Sequence, residues 1–147
     1  MDRGTDVERA LRSAGLRVTV QRVAVLGAVT AHPHSDTGSI IELARRAVPE
    51  LSHQAVYDAL RVLTGAGVLR CIEPAGTVAR YEARTGDNHH HLVCRSCGVI
   101  VDVDCATGHA PCLTPADGQG FLVDEAEVVY WGRCPSCVSV SPASADS

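Results

Sequence analysis

Two Cys-x-x-Cys pairs constrain this chain more than any other feature. Cys94 and Cys97 form the first pair, and Cys134 and Cys137 form the second, 37 residues further along. Four thiolates in this pattern close a tetrahedral zinc site of the structural kind if the segments that carry them lie side by side. Such a site leaves no open position for a catalytic water. The alternatives are a lone redox motif or buried thiols, and two pairs beside turns favour zinc.

The length allows one ordinary domain or two small ones, and a small domain usually needs a staple such as zinc. No apolar run approaches the roughly 20 residues of a membrane span, and no signal-peptide core follows the N-terminus. We therefore expect a cytoplasmic protein without a membrane partner. In that reducing compartment the seven cysteines are expected to be ligands or redox sensors rather than a disulfide framework.

The charge is divided unevenly along the chain. Residues 1–84 carry eleven Arg against nine acidic residues, or +2, and residues 85–147 carry two Arg against eight, or −6. This asymmetry suggests one part that meets a polyanion and one that meets cations, although +2 alone is a weak basic signal.

Apolar periodicity and capping residues predict helices in the first half. Gly15 suits the end of a first helix, and Thr19 and Ser52 suit the caps of the second and fourth. Two β-type runs at 68–72 and 78–82 then read as a hairpin. Helices followed by a hairpin are the order of a winged helix-turn-helix domain, and the last helix would be the recognition helix.

The second half changes to a strand pattern at 92–94, 99–103 and 128–131. Gly and Pro interrupt the segment 105–120 too often for a long helix. The sequence predicts an α+β chain organised as a winged-helix domain at 1–84, a hinge at 85–91, a small zinc-stapled domain at 92–137 and a disordered tail at 138–147.

A second group of candidate ligands surrounds the predicted hinge. In a strand that continues to residue 93, alternate side chains share a face, so His89 and His91 project together and His90 points away. A mixed shell of imidazoles and carboxylates suits Fe²⁺, Mn²⁺, Zn²⁺ or other divalent ions. The alternative is a solvated His-rich linker. The predicted regulatory ligands are His34, Glu82, His89, His91 and Asp102.

The predicted recognition helix offers hydroxyl and amide groups near its N-terminus that can reach phosphates and base edges. Arginines around the start of the second helix can pair with phosphates or enter a minor groove. The alternative is an ordinary amphipathic helix with scattered, solvated arginines. The predicted DNA contacts are Arg17, Arg22, Ser52, Gln54 and Tyr57.

Taken together, these motifs resemble the ferric uptake regulator (Fur) family over residues 7–137. The similarity is greatest to actinobacterial members that respond to redox state and iron and are often found beside catalase-peroxidase genes. Those members have cysteines like Cys105 and Cys112. The matching segments are residues 15–19 with Arg22, 52–57, 80–82, 89–98 and 130–134.

The resemblance implies a homodimeric, metal-activated repressor with a winged-helix domain and an α/β dimerisation domain. The four paired cysteines match its structural zinc site, and the hinge ligands match a regulatory site for Fe²⁺ or Mn²⁺, with Ni²⁺ and Zn²⁺ as alternatives. Arg17 matches a residue that enters an A·T-rich minor groove, and Tyr57 one that touches thymine. The expected partner is a palindromic, A·T-rich duplex operator of oxidative-stress or iron-homeostasis genes. Neither catalysis nor a small organic substrate is expected.

The chain departs from the family pattern in three ways. Asp58 stands where many members carry Arg after the recognition Tyr, and Glu82 stands where the peroxide sensors of the family carry Asp. A further family metal site is expected to be absent, because Asn88, His90, His109 and Ala126 stand at its ligand positions and Ala126 cannot bind a metal.

The remaining cysteines, Cys71, Cys105 and Cys112, are candidate redox-sensing thiols, because they lie outside the zinc set. The alternative is that these three cysteines are small apolar side chains buried in the core. Two other functions remain open on the cysteines alone: a zinc-dependent thiol redox protein, and a zinc-ribbon adaptor that binds protein. The first lacks the expected βαβ context, and the second leaves the wing and the histidines unexplained.

Overall fold

The computed structural model describes residues 3–85 and 87–140 of the chain. Two compact units are present, and the N-terminal unit ends at Gly86 while the C-terminal unit begins at Asp87. This division falls inside the segment predicted as a hinge. The histidines at the end of that segment lie in a strand that belongs to the C-terminal unit.

Side-chain caps begin three of the four helices of the N-terminal unit. Thr19, Asp36 and Ser52 each accept a hydrogen bond from the backbone N–H three residues on, at 2.8–3.2 Å. The first helix is followed by Gly15, whose φ of 74° is the left-handed conformation that glycine adopts freely. The helices are α1 (Arg3–Ser13), α2 (Val20–Ala31), α3 (Thr37–Ala47) and α4 (His53–Gly65).

A single apolar cluster holds these helices together. Each helix buries a face at helical spacing, and the side chains of Leu11, Val25, Ile40 and Leu63 are fully inaccessible to solvent. Burying each such side chain contributes about 1.5–3 kcal/mol. The N-terminal unit therefore has a sufficient core of its own.

The sheet of this unit consists of β1 (Ser35–Asp36), β2 (Arg70–Ile72) and β3 (Arg80–Glu82). Its strand order is β1-β3-β2, and both pairings are antiparallel. β2 and β3 form the predicted hairpin. The two-residue strand β1 was not predicted, and its pairing fixes the preceding loop onto β3.

The C-terminal unit is a three-stranded sheet followed by a short helix. Its elements are β4 (His89–Cys94), β5 (Ile100–Asp104), β6 (Val129–Gly132) and α5 (Pro135–Val140). The order is β5-β4-β6, antiparallel between β4 and β5 and parallel between β4 and β6. Cys94 at the end of β4 lies opposite Gly132, so the two cysteine pairs follow neighbouring strand ends.

Residues 105–128, all within the described part of the chain, form neither helix nor strand. The Gly and Pro content of 105–120 predicted the absence of a long helix there, and the strand predicted at 128–131 begins one residue later, at Val129. The prediction of disorder from residue 138 is wrong for 138–140, which continue α5. Pro135 suits the first turn of that helix, where its missing N–H needs no partner. Residues 141–147 of the predicted tail lie outside the described residues.

Apolar burial differs between the units. Among the described residues, seventeen buried apolar side chains lie in the N-terminal unit and only Val93, Cys94 and Ile100 in the C-terminal unit. The C-terminal sheet instead exposes Leu92 and the neighbours that its register places beside it, Val101 and Tyr130. A unit with so little buried apolar surface needs an additional cross-link, such as a metal site, to be stable. Its exposed apolar face also needs another surface to pack against. No described helix combines the length and apolarity needed to cross a bilayer.

Candidate metal centres and nucleic-acid interface

The four paired cysteines converge at one end of the C-terminal sheet. Their Sγ atoms all lie within 4.8 Å of one another, and those of Cys97 and Cys134 are 3.7 Å apart. Tetrahedral zinc with Zn–S bonds of about 2.3 Å separates its sulfurs by about 3.8 Å. The tetrad of Cys94, Cys97, Cys134 and Cys137 thus has the donor set and spacing that fit structural zinc.

Backbone groups around this tetrad favour thiolate. The N–H groups of Cys134 and Cys97 point at the Cys94 sulfur, at 3.3 and 3.4 Å, and they lower the pKa of that thiol to about 5. Hydrogen bonds with Cys134 and Cys94 raise the pKa of Cys137 to about 12. The fold thus favours the thiolate form of Cys94. A bound cation would favour deprotonation of the other three thiols.

Two of the five predicted regulatory ligands meet in the N-terminal unit. Glu82 at the end of β3 is completely buried, and its Oε2 lies 3.3 Å from His34 Nε2. The backbone of His34 is held on β3, because its N–H donates to the Tyr81 carbonyl and its carbonyl accepts from Arg80. His34 also adopts a φ of 67°, which is uncommon outside glycine and costs backbone energy. We refer to His34 and Glu82 as the N-terminal half-site.

The other three predicted ligands meet in the C-terminal unit. Asp102 Oδ1 lies 3.2 Å from His91 Nε2 and 3.7 Å from His89 Nε2. Both imidazoles are almost inaccessible to solvent, and their rings make an edge contact with centroids 4.9 Å apart. We refer to His89, His91 and Asp102 as the C-terminal half-site.

Asp87 contacts the C-terminal half-site, and the sequence reasoning missed it. Its Oδ1 lies 2.8 Å from His89 Nδ1, so a proton on Nδ1 is held by a carboxylate. A neutral ring with its proton on Nδ1 carries its lone pair on Nε2, the nitrogen that faces Asp102. A histidine that binds metal through Nε2 requires this tautomer. Asp87 lies two positions before His89, just ahead of β4, and this short spacing is the signal that was available.

The predicted recognition helix, α4, presents its N-terminal turn to solvent. Ser52 and Gln54 are exposed, and 53% of Tyr57 is accessible, whereas Val56 and Leu60 on the opposite side belong to the core. The unpaired N–H groups and the dipole at a helix N-terminus attract phosphate. The Ser52 hydroxyl oxygen already caps the helix, and its O–H proton remains a donor.

The two predicted arginine contacts differ in their surroundings. Arg17 is exposed between α1 and α2. Arg22 is half-buried and donates from its guanidinium to the Arg17 carbonyl at 2.8 Å. Arg22 therefore fixes the turn that carries Arg17, which is a positioning role, while Arg17 presents its charge outward.

Comparison with known proteins decides between the open functions. Residues 13–128 match the model of the ferric uptake regulator family. The chain belongs to this family. It is 64% identical over 139 residues to the transcriptional regulator FurA of Mycobacterium tuberculosis, covering 95% of this chain and 94% of the relative. It is 56% identical over 146 residues to ferric uptake regulation protein 2 of Mycolicibacterium fortuitum, covering 97% and 99%.

A solved structure of the Helicobacter pylori ferric uptake regulator superposes with a TM-score of 0.67 at 20% identity, covering 97% of both chains. This similarity confirms the two-unit α+β fold of the Fur family. Membership also confirms the predicted class of function, a metal-responsive transcriptional regulator of the Fur family.

The departures from the Fur pattern have structural consequences. Asp58 Oδ1 accepts hydrogen bonds at 3.0 Å from both Gln54 and Arg61, so a carboxylate restrains two side chains of the exposed α4 face. At the further family site, His90 Nε2 contacts Cys112 and His109 Nδ1 contacts the Thr107 carbonyl. In this Fur-family chain both histidines therefore contact protein atoms through a ring nitrogen that a metal would need.

The three candidate redox thiols also separate. Cys71 lies on β2, and desolvation is the main cause that raises the pKa of its thiol. Cys105 and Cys112 lie together beside His90 in the C-terminal unit. Proximity thus singles out Cys105 and Cys112 and leaves Cys71 apart.

Proposed function

We propose that the protein is a homodimeric repressor whose affinity for operator DNA is set by one divalent cation, Fe²⁺ or Mn²⁺, shared by the two half-sites. The two histidines and the acid of the C-terminal half-site, together with His34 and Glu82, would hold the cation. The observation that carries this proposal is the arrangement of His89, whose Nδ1 faces the Asp87 carboxylate and whose Nε2 faces Asp102 at 3.7 Å.

The chemistry of the donors supports a cation. Each half-site places a carboxylate beside an imidazole, at 3.3 Å in one unit and 3.2 Å in the other. A bound divalent cation would supply positive charge to these carboxylates, and an imidazole and carboxylate shell suits Fe²⁺ and Mn²⁺ better than a thiolate shell does. Burial of Glu82 strengthens its need for a positive partner.

Ligands drawn from both units would couple metal binding to DNA binding. The cation favours whichever arrangement of the units lets both half-sites contribute, and its differential affinity limits the shift in population. Allosteric couplings are typically about 1–3 kcal/mol, or about 5–150-fold in affinity. We propose that the favoured arrangement is the one that binds operator.

The dimer would form through the exposed face of the C-terminal sheet. Leu92, Val101 and Tyr130 lie side by side across β5, β4 and β6, and each is 45–49% exposed. A two-fold dimer reads a palindromic site with α4 of each protomer, and Arg17 suits an A·T-rich minor groove beside it. We expect the protein in the cytoplasm, where it would control oxidative-stress or iron-homeostasis genes.

An electrophoretic mobility-shift titration tests the proposal, with an operator first selected from random duplexes by the Mn²⁺-loaded protein. We expect Mn²⁺ to strengthen wild-type binding, and His89→Ala and Glu82→Gln to remove that dependence while retaining one zinc per chain. His109→Ala is the matched control, because His109 is exposed and outside both half-sites. Unchanged metal dependence in His89→Ala and Glu82→Gln would contradict the proposal.

A further inference from the structure

A third cluster of metal-ligating or nucleophilic groups lies in the C-terminal unit and plays no part in the proposed function. It consists of His90, Cys105 and Cys112, each of which offers one nitrogen or sulfur atom within 4.8 Å of the others. His90 is 3% exposed, and both cysteines are half-buried. We refer to these three residues as the thiol cluster.

The strand register explains how this cluster forms. His90 projects from β4 on the face opposite the half-site histidines, and it pairs with Val103 of β5. Cys105 directly follows β5, so the chain leaves the sheet beside His90. The irregular segment after β5 then brings Cys112 to 3.2 Å from His90 Nε2.

The hydrogen bonds of His90 oppose metal ligation by this cluster. The Val128 N–H donates to His90 Nδ1 at 3.3 Å, which places the imidazole proton of the neutral ring on Nε2. Nε2 then donates toward the Cys112 sulfur and has no lone pair to offer a cation. A metal ligand would need the opposite tautomer, such as the one that Asp87 favours in His89.

The two thiols have different proton affinities. The Thr107 hydroxyl, 3.2 Å from the Cys105 sulfur, is the largest cause that lowers the pKa of Cys105 to about 6, and the backbone N–H groups of Thr107 and Gly108 add to it. Desolvation is the largest cause that raises the pKa of Cys112, followed by its hydrogen bond with Cys105. At neutral pH the cluster therefore pairs a thiolate with a thiol.

We propose that Cys105 and Cys112 are a hydroperoxide-reactive pair that closes a reversible intramolecular disulfide. The Cys105 sulfur attacks one oxygen of the hydroperoxide, the O–O bond breaks, and hydroxide or an alkoxide leaves, which gives Cys105 sulfenic acid. The Cys112 sulfur then attacks the Cys105 sulfur, the S–O bond breaks, and the leaving hydroxide takes the Cys112 proton to form water. The peroxide gains two electrons from the two thiols, and a small dithiol restores them by exchange.

This reaction is independent of the proposed DNA-binding switch. It needs no iron, because the oxidant reacts directly with the Cys105 sulfur. It also leaves the zinc tetrad intact, since neither Cys105 nor Cys112 belongs to it.

The test uses the full-length, reduced, zinc-loaded chain in iron-free buffer. After treatment with stoichiometric hydrogen peroxide, free thiols are alkylated in denaturant and the chain is cleaved with trypsin. Peptide 96–133 contains Cys97, Cys105 and Cys112. We expect this peptide to be lighter than its reduced form by the mass of two hydrogens, with Cys97 alkylated. Tandem mass spectra should contain no backbone fragments from cleavage between residues 105 and 112, because the disulfide holds the two pieces together. Zinc measured before denaturation should remain at one per chain.

Variants assign the roles of the two thiols. Cys112→Ser should accumulate a sulfenic acid at Cys105 that dimedone traps, and Cys105→Ser should form neither product. Thr107→Val should slow the reaction at pH 7 at least about threefold and recover at pH 9, because a thiol of ordinary pKa is mostly thiolate only above about pH 8.5. Cys71→Ser is the matched control and should react as the wild type does.

Several results would overturn the proposal. These are an unmodified Cys105–Cys112 pair after peroxide treatment, a disulfide to Cys97 accompanied by zinc loss, or equal reactivity in Cys105→Ser. A second zinc per chain that protects Cys105 and Cys112 from alkylation would show instead that the thiol cluster is a metal site.

Discussion

Truncation of Leu92 tests the proposed dimer face, because this side chain lies at the centre of the apolar row on the C-terminal sheet. Its cross-strand neighbours in the register are Val101 on one side and Tyr130 on the other. Full burial of a leucine contributes about 1.5–3 kcal/mol. Leu92 is still 45% exposed in the protomer, so covering the remainder contributes about 0.7–1.4 kcal/mol.

Two-fold symmetry doubles this loss, because each protomer carries the substitution. Alanine keeps part of the contact, so Leu92→Ala should weaken the dimer by about 1–2 kcal/mol, or about 5–30-fold in Kd. Sedimentation equilibrium on the zinc-loaded protein measures the change. Val78→Ala is the control, since Val78 is an equally apolar and 58% exposed side chain in the wing turn. An unchanged dimer Kd in Leu92→Ala would refute the assignment of this face.

Three further substitutions test other parts of the structure. Cys97→Ser should abolish zinc binding and unfold the C-terminal unit while the helical unit keeps its circular dichroism, because only three buried apolar side chains among the described residues support the sheet. Asp58→Asn should raise non-specific DNA affinity several-fold at low salt in a fluorescence anisotropy titration, because it removes a negative charge from the α4 face. Asp36→Ala should cost about 1 kcal/mol of unfolding free energy at pH 7. The Ser39 N–H lowers the pKa of Asp36, so this stabilisation is present above the unfolded pKa of about 4 and fades as pH falls through the lower folded pKa.

Local chemistry predicted most of the N-terminal unit. Thr19 and Ser52 cap the helices they were expected to cap, because an N-cap needs only a side-chain oxygen and the N–H three residues on. The strand Ser35–Asp36 was missed, since its pairing joins residues about 45 positions apart and two residues carry no periodic signal. The positive φ of His34, the residue just before that strand, carried no sequence signal either.

The candidate sites were predictable to different degrees. The cysteine tetrad follows from spacing, because two cysteine pairs at strand ends have few other arrangements. The partners of His89 and His90 required the structure: Asp87 and the Val128 N–H select opposite tautomers for these adjacent histidines. Composition could not reveal that difference, which separates a candidate metal ligand from a hydrogen-bond donor to sulfur.

Thermodynamic linkage between metal binding and DNA binding is the sharpest test of a cation shared by the two half-sites. Metal affinity is measured by titrating Mn²⁺ into the zinc-loaded protein alone and into its complex with the selected operator, and DNA affinity is measured with and without Mn²⁺. Thermodynamic reciprocity requires both ligands to strengthen each other by the same factor, about 5–150-fold for a typical allosteric coupling. We expect equal factors well above one, which fall to one in Glu82→Gln. An Mn²⁺ affinity that operator DNA leaves unchanged would contradict it.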